Sequence, residues 1–578
     1  ENKRVMQNIE QLEKLAEKIA AEHRAENTSR PIRQKHFRLE EYHQTLKNAY
    51  VSTNEELKSS GDIVPAAEWL LDNYYIIEEQ YKEIQYNIKN ELYRGLPILS
   101  KGNYKGYPRV YGIASELVDF LDAKIEEDTI TVFLKAYQSH IPLISKELWA
   151  FPNVLRICLL EYVNEIAEYI TETMYMRKQA DYWADTLLDA LKKSKDNNNN
   201  EFYKAITSHD AQIKTLKPAY VERLLHRLRV YSADSALILR WIDGKLAILH
   251  SDADEFIQLA HQDQARYQTS IGNAITSLRT INNLKWEEIF EELSVLERIL
   301  RQDPAGIYSL MDFASRDYYR HMVERLAQKH GTDEFQIAVK AIECARESSD
   351  QSAKKIRHVG YYIIDRGRVL LEKKLTGKIN RINDISLNTF IYFGSISVLT
   401  IIFWFIFLSG IWYTSDNATL ESMILSALLS FIPVWSSAIG IVHWAVTRIF
   451  KPNYIPKLEL KDGIPEEYRT MVVIPALLTD EKRVVELIEQ MEVFYLANQE
   501  DNIHFALIGD YKDGPEKHTE NDQKIIDTGK RLIEELNNKY TRKDIFFFFH
   551  RHRQWNESHS SWMGWERKRG ALTEFNAL

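Results

Sequence analysis

The chain has 578 residues, 45% apolar and 27% charged, with a formal net charge of -9 and only two cysteines. At about 150 residues per domain, that length accommodates three or four domains. The modest negative charge argues against a general nucleic-acid binder, and Cys158 and Cys344, far apart with no partner spacing, argue against a disulfide framework or a thiolate metal site.

The first residues are expected to form a helix of the fold and not the apolar core of a cleavable signal. ENKRVMQNIEQLEKLAEKIAAEHR has the period of an amphipathic helix, with Ile9, Leu12, Ala16 and Ile19 on one stripe that suits helix packing or a coiled-coil-like arm. The pattern stays helical to about residue 378. In KELWAFPNVLRICLLEYVNEIAEYI, Leu148, Phe151, Leu155, Cys158, Leu159, Tyr162 and Ile166 form one apolar face. The polar run KSKDNNNNE at 193–201 marks a loop and a candidate subdomain break. Earlier, PAAEWLLDNYYIIEEQYKEI sets Trp69, Asp72, Asn73, Tyr74 and Tyr75 close together. Aromatics beside polar groups can bind sugar rings by stacking and hydrogen bonding, but an aromatic stripe at helical spacing usually builds core.

Residues 385–414 contain no charge, and a second uncharged run covers 422–447. Some 20 apolar residues cross the roughly 30 Å hydrocarbon core, so the pair is expected to form a transmembrane hairpin, with Pro433 kinking its second helix. A buried hairpin in a large soluble core is the alternative. Arg366, Arg368, Lys373, Lys374, Lys378 and Arg381 precede the hairpin and Arg448, Lys451 and Lys457 follow it, whereas the connector holds only Asp416 and Glu421. Both long soluble parts are therefore expected in the cytoplasm.

Beyond residue 450 the period changes. RTMVVIPALL and HFALIG read as strands, TDEKRVVELIEQMEVFYLA as a helix capped by Thr479 or Asp480, NDQKIIDTGKRLIEELNNKY as a helix, and DIFFFFH as a third strand. This alternation predicts an α/β domain with a parallel sheet, whose ligands bind beyond the strands' carboxyl ends. Residues 475–480, Asp510 with Asp513, and residues 550–553 stand there. Asp510 can accept hydrogen bonds from a base or ribose, or DYKDGP can be an ordinary solvated turn. In the last segment Trp555, Trp562 and Trp565 alternate with Arg551, Arg553, Arg567, Lys568 and Arg569. That mixture suits a sugar diphosphate, and RNA stacking is the competing use. His550, His552 and His559 lack the carboxylate or Cys spacing that would complete a metal site.

AEWLLDNYY, GYPRVYGIASEL, KELWAFPNVLRICLLE, VVIPALLTDE, HFALIGDYKD and WNESHSSWMGWERKRGALTEFNAL, in this order around the hairpin, resemble the cyclic β-1,2-glucan synthase family from about Pro65 onward. The resemblance implies a multidomain α plus α/β fold: a largely helical region (1–384), two transmembrane helices (385–450) and a truncated GT-A-like, Rossmann-type domain (451–578). It implies an inverting glucosyltransferase that polymerises glucose from UDP-glucose at the bacterial inner membrane. The expected partners are UDP-glucose, the growing β-1,2-glucan, the lipid bilayer and downstream domains of the same polypeptide, with no nucleic acid.

Carried over residue by residue, the loop with Thr479 and Asp480 would meet uridine, although Leu477 and Leu478 stand where Tyr and Asn are more typical. Asp510 matches the acidic residue after the second nucleotide-binding strand. Lys568, Arg569 and Gly570 resemble the Lys-x-Gly turn beside the diphosphate, with Asn576 at the place of a later Asn. Asp513 and Trp565 complete the expected substrate-binding set. Mg or Mn is expected in the parent protein, with the metal-binding Asp-x-Asp and the general base downstream of Leu578, so the chain is read as a fragment that does not turn over alone. A membrane-anchored helical scaffold, a glycan-binding module without catalysis, and another processive polysaccharide synthase are the alternative readings.

Overall fold

The computed structural model describes residues 2–26, 38–89, 95–194, 200–229, 235–347, 354–377, 384–414, 419–450, 454–540 and 544–578. Two compact units emerge, one of Glu1–Ser309 with Phe313–Tyr454 and one of Leu310–Asp312 with Ile455–Leu578.

The first unit is helical. Helices α1 (Asn2–Glu22), α2 (Leu39–Ser60), α3 (Pro65–Lys89), α4 (Arg109–Phe120) and α5 (Glu127–Gln138) surround the amino-terminal half of α6 (Ser145–Ser194). Two-residue strands, β1 (Ala25–Glu26) and β2 (Ile98–Leu99), pair antiparallel beside them. The α1 stripe is an ordinary packing face: Leu12, Ala16 and Ile19 are buried in the common core. From Ala150 to Leu160 every residue of α6 is buried, the mark of a helix at the centre of a core rather than on its surface.

At 50 residues, α6 is about 75 Å long and reaches a second core. There Trp183, Leu187 and Leu191 pack with residues of α7 (Asn200–Gln212), α8 (Pro218–Arg229), α9 (Ala236–Ile248) and the start of α10 (Ala253–Asn283). Residues 195–199 of the polar run lie outside the described residues, and one apolar core continues across them: Leu191 before and Phe202 after share it.

The aromatic run on α3 divides. Tyr74 is half-buried, stacked on Tyr50 at 4.3 Å and donating to Glu78 at 2.9 Å, while Trp69 and Tyr75 remain exposed.

Helices α11 (Trp286–Leu293), α12 (Val295–Leu300), α13 (Phe313–His330), α14 (Glu334–Arg346), α15 (Lys354–Arg357), α16 (Val359–Ile364) and α17 (Arg368–Thr376) follow. Their interior holds charge. Arg320 donates to Glu297 at 2.7 Å, and the Tyr308 hydroxyl donates to the same carboxylate at 2.7 Å.

Helices α18 (Asp384–Thr414) and α19 (Leu420–Ile449) form the hairpin, and both are long and apolar enough to cross a membrane. Only 11% of the most apolar window of each is buried within the protein, and Phe390, Phe405, Trp412 and Leu428 face outward. A soluble core would cover such side chains, so their exposure fits a lipid surround. Polar contacts join the two helices: Trp404 Nε1 donates to the Ala427 carbonyl at 3.1 Å, and Tyr392 Oη lies 2.5 Å from His443 Nε2. The second helix continues without interruption through Pro433, since the missing N–H removes one backbone bond and leaves the flanking turns intact.

The second unit alternates as its sequence pattern predicts: β3 (Thr470–Leu478), α20 (Glu481–Ala497), β4 (Ile503–Tyr511), α21 (Glu520–Lys539) and β5 (Phe546–His550). The strands form a parallel sheet with β4 in the centre. On one face Phe505, Leu507 and Tyr511 pack against Val484, Leu487 and Met491 of α20 and Ile525, Ile533 and Leu536 of α21. Gly529 of α21 lets that helix press onto the sheet, because a Cβ there would stand 2.6 Å from the Phe548 ring. A short antiparallel ribbon, β6 (Gln554–Asn556) with β7 (Ser561–Met563), pairs Trp555 with Trp562 and leads into α22 (Arg567–Ala577), which packs on β3 and β4. Strands, alternating helices and a parallel sheet establish an α/β unit.

Candidate functional site at the carboxyl edge of the parallel sheet

Parallel pairing sets Gly509 of β4 opposite His550 of β5. The next residue of each strand, Asp510 and Arg551, therefore meets at the edge where open parallel sheets bind ligands. Arg551 makes a bidentate pair with Asp510, Nε to Oδ1 at 2.6 Å and Nη2 to Oδ2 at 2.8 Å, with both side chains largely buried. Its remaining donors hold the start of α22: Nη1 donates to the Trp565 carbonyl and the Glu574 carboxylate, each at 3.1 Å, and Nη2 to the Arg567 carbonyl at 3.0 Å. Hydrogen bonding to Asp510 holds the guanidinium above its ordinary pKa.

Two glycines make this closeness possible. A Cβ on Gly564 would stand 2.9 Å from the Asp510 carboxyl carbon, and one on Gly570 would fall 1.8 Å from the Trp565 carbonyl oxygen. Between them Glu566 and Arg567 have φ of 48° and 51°, a left-handed conformation that costs energy in residues with side chains.

A second pair lies alongside. Arg553 donates to Asp522 at 2.6 and 3.0 Å and to the Lys512 carbonyl at 2.7 Å, and its guanidinium lies over the Tyr511 ring at 4.8 Å. Burial pushes the Asp522 pKa up, but the hydrogen bonds from Arg553 and Thr519 outweigh it and leave the carboxyl below its ordinary range. Burial pushes the Tyr511 phenol up to about 12, and burial together with the charges of His552 and Lys530 lowers the His550 imidazole. Tyr511 Oη and His550 Nδ1 are buried without a hydrogen-bond partner.

The sequence-derived candidates distribute unevenly. Asp480 caps α20, accepting from the Arg483 amide at 2.9 Å, and Thr479 donates to it at 3.1 Å. Both sit at the end of β3 beside the end of β4, since Leu478 pairs with Tyr511. Asp513 accepts from Arg567 at 2.5 Å, which ties the loop after β4 to α22. Trp565, Lys568 and Arg569 are exposed around the α22 amino terminus and Gly570 is buried beneath it. Asn576 lies eight residues beyond Lys568, about 12 Å along the helix axis, and is exposed near its far end.

Arg551 and Arg553, which sequence patterns leave within an undifferentiated basic run, are the residues that organise this edge. Among the described residues no three His, Cys, Asp or Glu side chains gather to hold a metal ion, and both oxygens of Asp510 are engaged by Arg551. The exposed cations and the α22 amino terminus instead suit an anion, and Trp565 offers an aromatic face.

Two helices long and apolar enough to cross a membrane, a large helical region and a parallel α/β unit with a cationic strand-end edge fit a membrane-associated protein. No family model matches the chain. Along 552 residues, 94% of its length, it is 30% identical to the Cyclic beta-(1,2)-glucan synthase NdvB of Rhizobium meliloti (strain 1021), and it spans 19% of that relative's length. The resemblance to the cyclic β-1,2-glucan synthase family is thereby shown.

Proposed function

We propose that the chain is part of a membrane-bound inverting glucosyltransferase that builds β-1,2-glucan from UDP-glucose, with its soluble parts on the cytoplasmic face of the bacterial inner membrane. One observation carries this reading. The similarity to a cyclic β-1,2-glucan synthase runs over 94% of the chain, which necessarily includes helical region, hairpin and most of the α/β unit.

The α/β unit then serves as the donor-binding half of a GT-A-like domain. Lys568 and Arg569 at the start of α22 face the diphosphate, Trp565 the hexose, and Thr479, Asp480, Asp510 and Asp513 line the nucleoside side. In-line transfer also needs a base for the acceptor proton and a cation for the leaving diphosphate. Those groups, with Mg or Mn, come from other parts of the parent protein, and these residues alone do not turn over.

The experiment is UDP-glucose incorporation by the full-length protein in membranes, followed by linkage analysis, beside the same assay on residues 1–578. The expected result is β-1,2-glucan from the former and none from the latter. Glucan made by residues 1–578 would overturn the division of labour, and a different linkage or donor would overturn the assignment of the reaction.

A further inference from the structure

A cleft on the helical unit belongs to none of the chemistry above. Its volume is ≈ 500 Å³, within the range of small-molecule sites. Trp69 of α3 forms one wall, lying over Gly272 of α10, where a Cβ would stand 3.5 to 3.7 Å from the indole ring. The turn between α4 and α5, pinned to α10 by Ser277, supplies more of the lining. The Ser277 hydroxyl donates to the Ala123 carbonyl at 2.6 Å and accepts from the Ile125 amide at 2.8 Å. The cleft is thus built by fixed elements.

Its chemistry selects a ligand class. Trp69 is 36% exposed and offers aromatic surface. Gln268 and Thr276 of α10 are exposed beside it, and Asn273 is half-buried with its amide held by the Asp122 carbonyl at 3.1 Å. The charges in the lining, Lys124 and Glu126, pair with each other at 3.1 Å. With its charge compensated, the cleft offers an anion no net attraction, and an apolar ligand would strip water from the exposed Gln268 amide and Thr276 hydroxyl without replacing it. A neutral, polyhydroxylated ring satisfies both kinds of surface, its C–H face on the indole and its hydroxyls on the amides. Gln268, Gly272 and Thr276 follow one another at four-residue intervals, a row of about 12 Å, which suits a chain of sugar units rather than one.

We propose that this cleft binds a neutral gluco-oligosaccharide, and, resting on the function proposed above, that its occupant is a stretch of the growing glucan. Calorimetry on the whole chain in detergent, with linear β-1,2-gluco-oligosaccharide as the probe, tests it. The wild type is expected to bind, Trp69→Ala to weaken binding on the order of tenfold, and the double variant Gln268→Ala/Thr276→Ala, exposed positions where Ala favours the helix, to weaken it several-fold. Lys524→Ala, exposed on α21 of the other unit, leaves the affinity unchanged. No binding by the wild type, or undiminished wild-type affinity in both cleft variants, overturns the proposal. Trp69-dependent binding by a protein whose full-length form makes no glucan from UDP-glucose would remove the proposed function and leave the cleft standing. Glucan synthesis without oligosaccharide binding here would do the reverse.

Discussion

Arg551 carries more of the strand-end edge than any candidate nucleotide contact, because it neutralises a buried carboxylate and fastens α22 with the same guanidinium. Removing one partner of a buried pair leaves the other charge uncompensated, at about 3–5 kcal/mol. Arg551→Met is therefore expected to speed hydrogen exchange in β4 and β5, and Arg551→Lys to rescue it poorly, since an ammonium cannot reproduce the bidentate fork. Exchange as slow as in the wild type would show that the pair is dispensable. The same logic makes Asp510→Ala an ambiguous probe of ligand binding. Lys568 is exposed, and Lys568→Ala should leave exchange unchanged while weakening UDP-glucose binding to the full-length protein by about 1.5–3 kcal/mol, the loss of one charge-assisted contact; unchanged affinity would remove Lys568 from the site. The strand-end position of Asp510 was legible in the sequence, because an apolar run that ends in an acidic residue and turn residues announces a strand end, whereas Lys568, Arg569 and Gly570 were singled out together by the family resemblance alone and lie in the first turn of α22. The partner of Asp510 was not legible. It depends on the register that sets Gly509 opposite His550, which nothing local in HRHR specifies.

Helix α6 begins where a residue from a distant helix meets it. Glu334, the first residue of α14, accepts from the Ser145 amide at 2.8 Å and from its hydroxyl at 2.9 Å. Burial dominates and raises the Glu334 carboxyl from 4.5 to about 7, although the Ser145 hydrogen bonds oppose it. The folded state thus binds a proton that the unfolded chain has already lost between those two values. Its contribution is complete below about 4.5 and declines as pH rises towards 7. Hydrogen exchange at the start of α6 should accelerate over that interval, and Glu334→Gln should flatten the dependence; an equal slope in both proteins would assign it elsewhere. Among the elements, the hairpin and the β-α-β-α-β order were readable, since absence of charge and a switch of period are strong local signals. The β6–β7 ribbon was not, because strands of three residues carry too little alternation to distinguish them from a polar loop.

At the scale of the molecule, the proposed function requires the α/β unit to lie where UDP-glucose is made, and the flanking charges carry that expectation. Lys and Arg crowd the sequence before α18 and after α19, whereas the stretch between the helices bears Asp416 and the first turn of α19 bears Glu421. Cysteine labelling in intact bacterial cells can test this against a quiet background, because Cys158 and Cys344 are both buried. Thr419→Cys, exposed at the head of α19, is expected to react with a membrane-impermeant maleimide added outside the inner membrane. Lys568→Cys, exposed at the start of α22, should react only after that membrane is opened. The opposite pattern would set the donor site on the side without UDP-glucose and overturn the proposed function with it. Labelling of both sites from outside would mean that the two helices do not span, and their exposed Phe and Leu side chains would then need a protein partner instead of lipid.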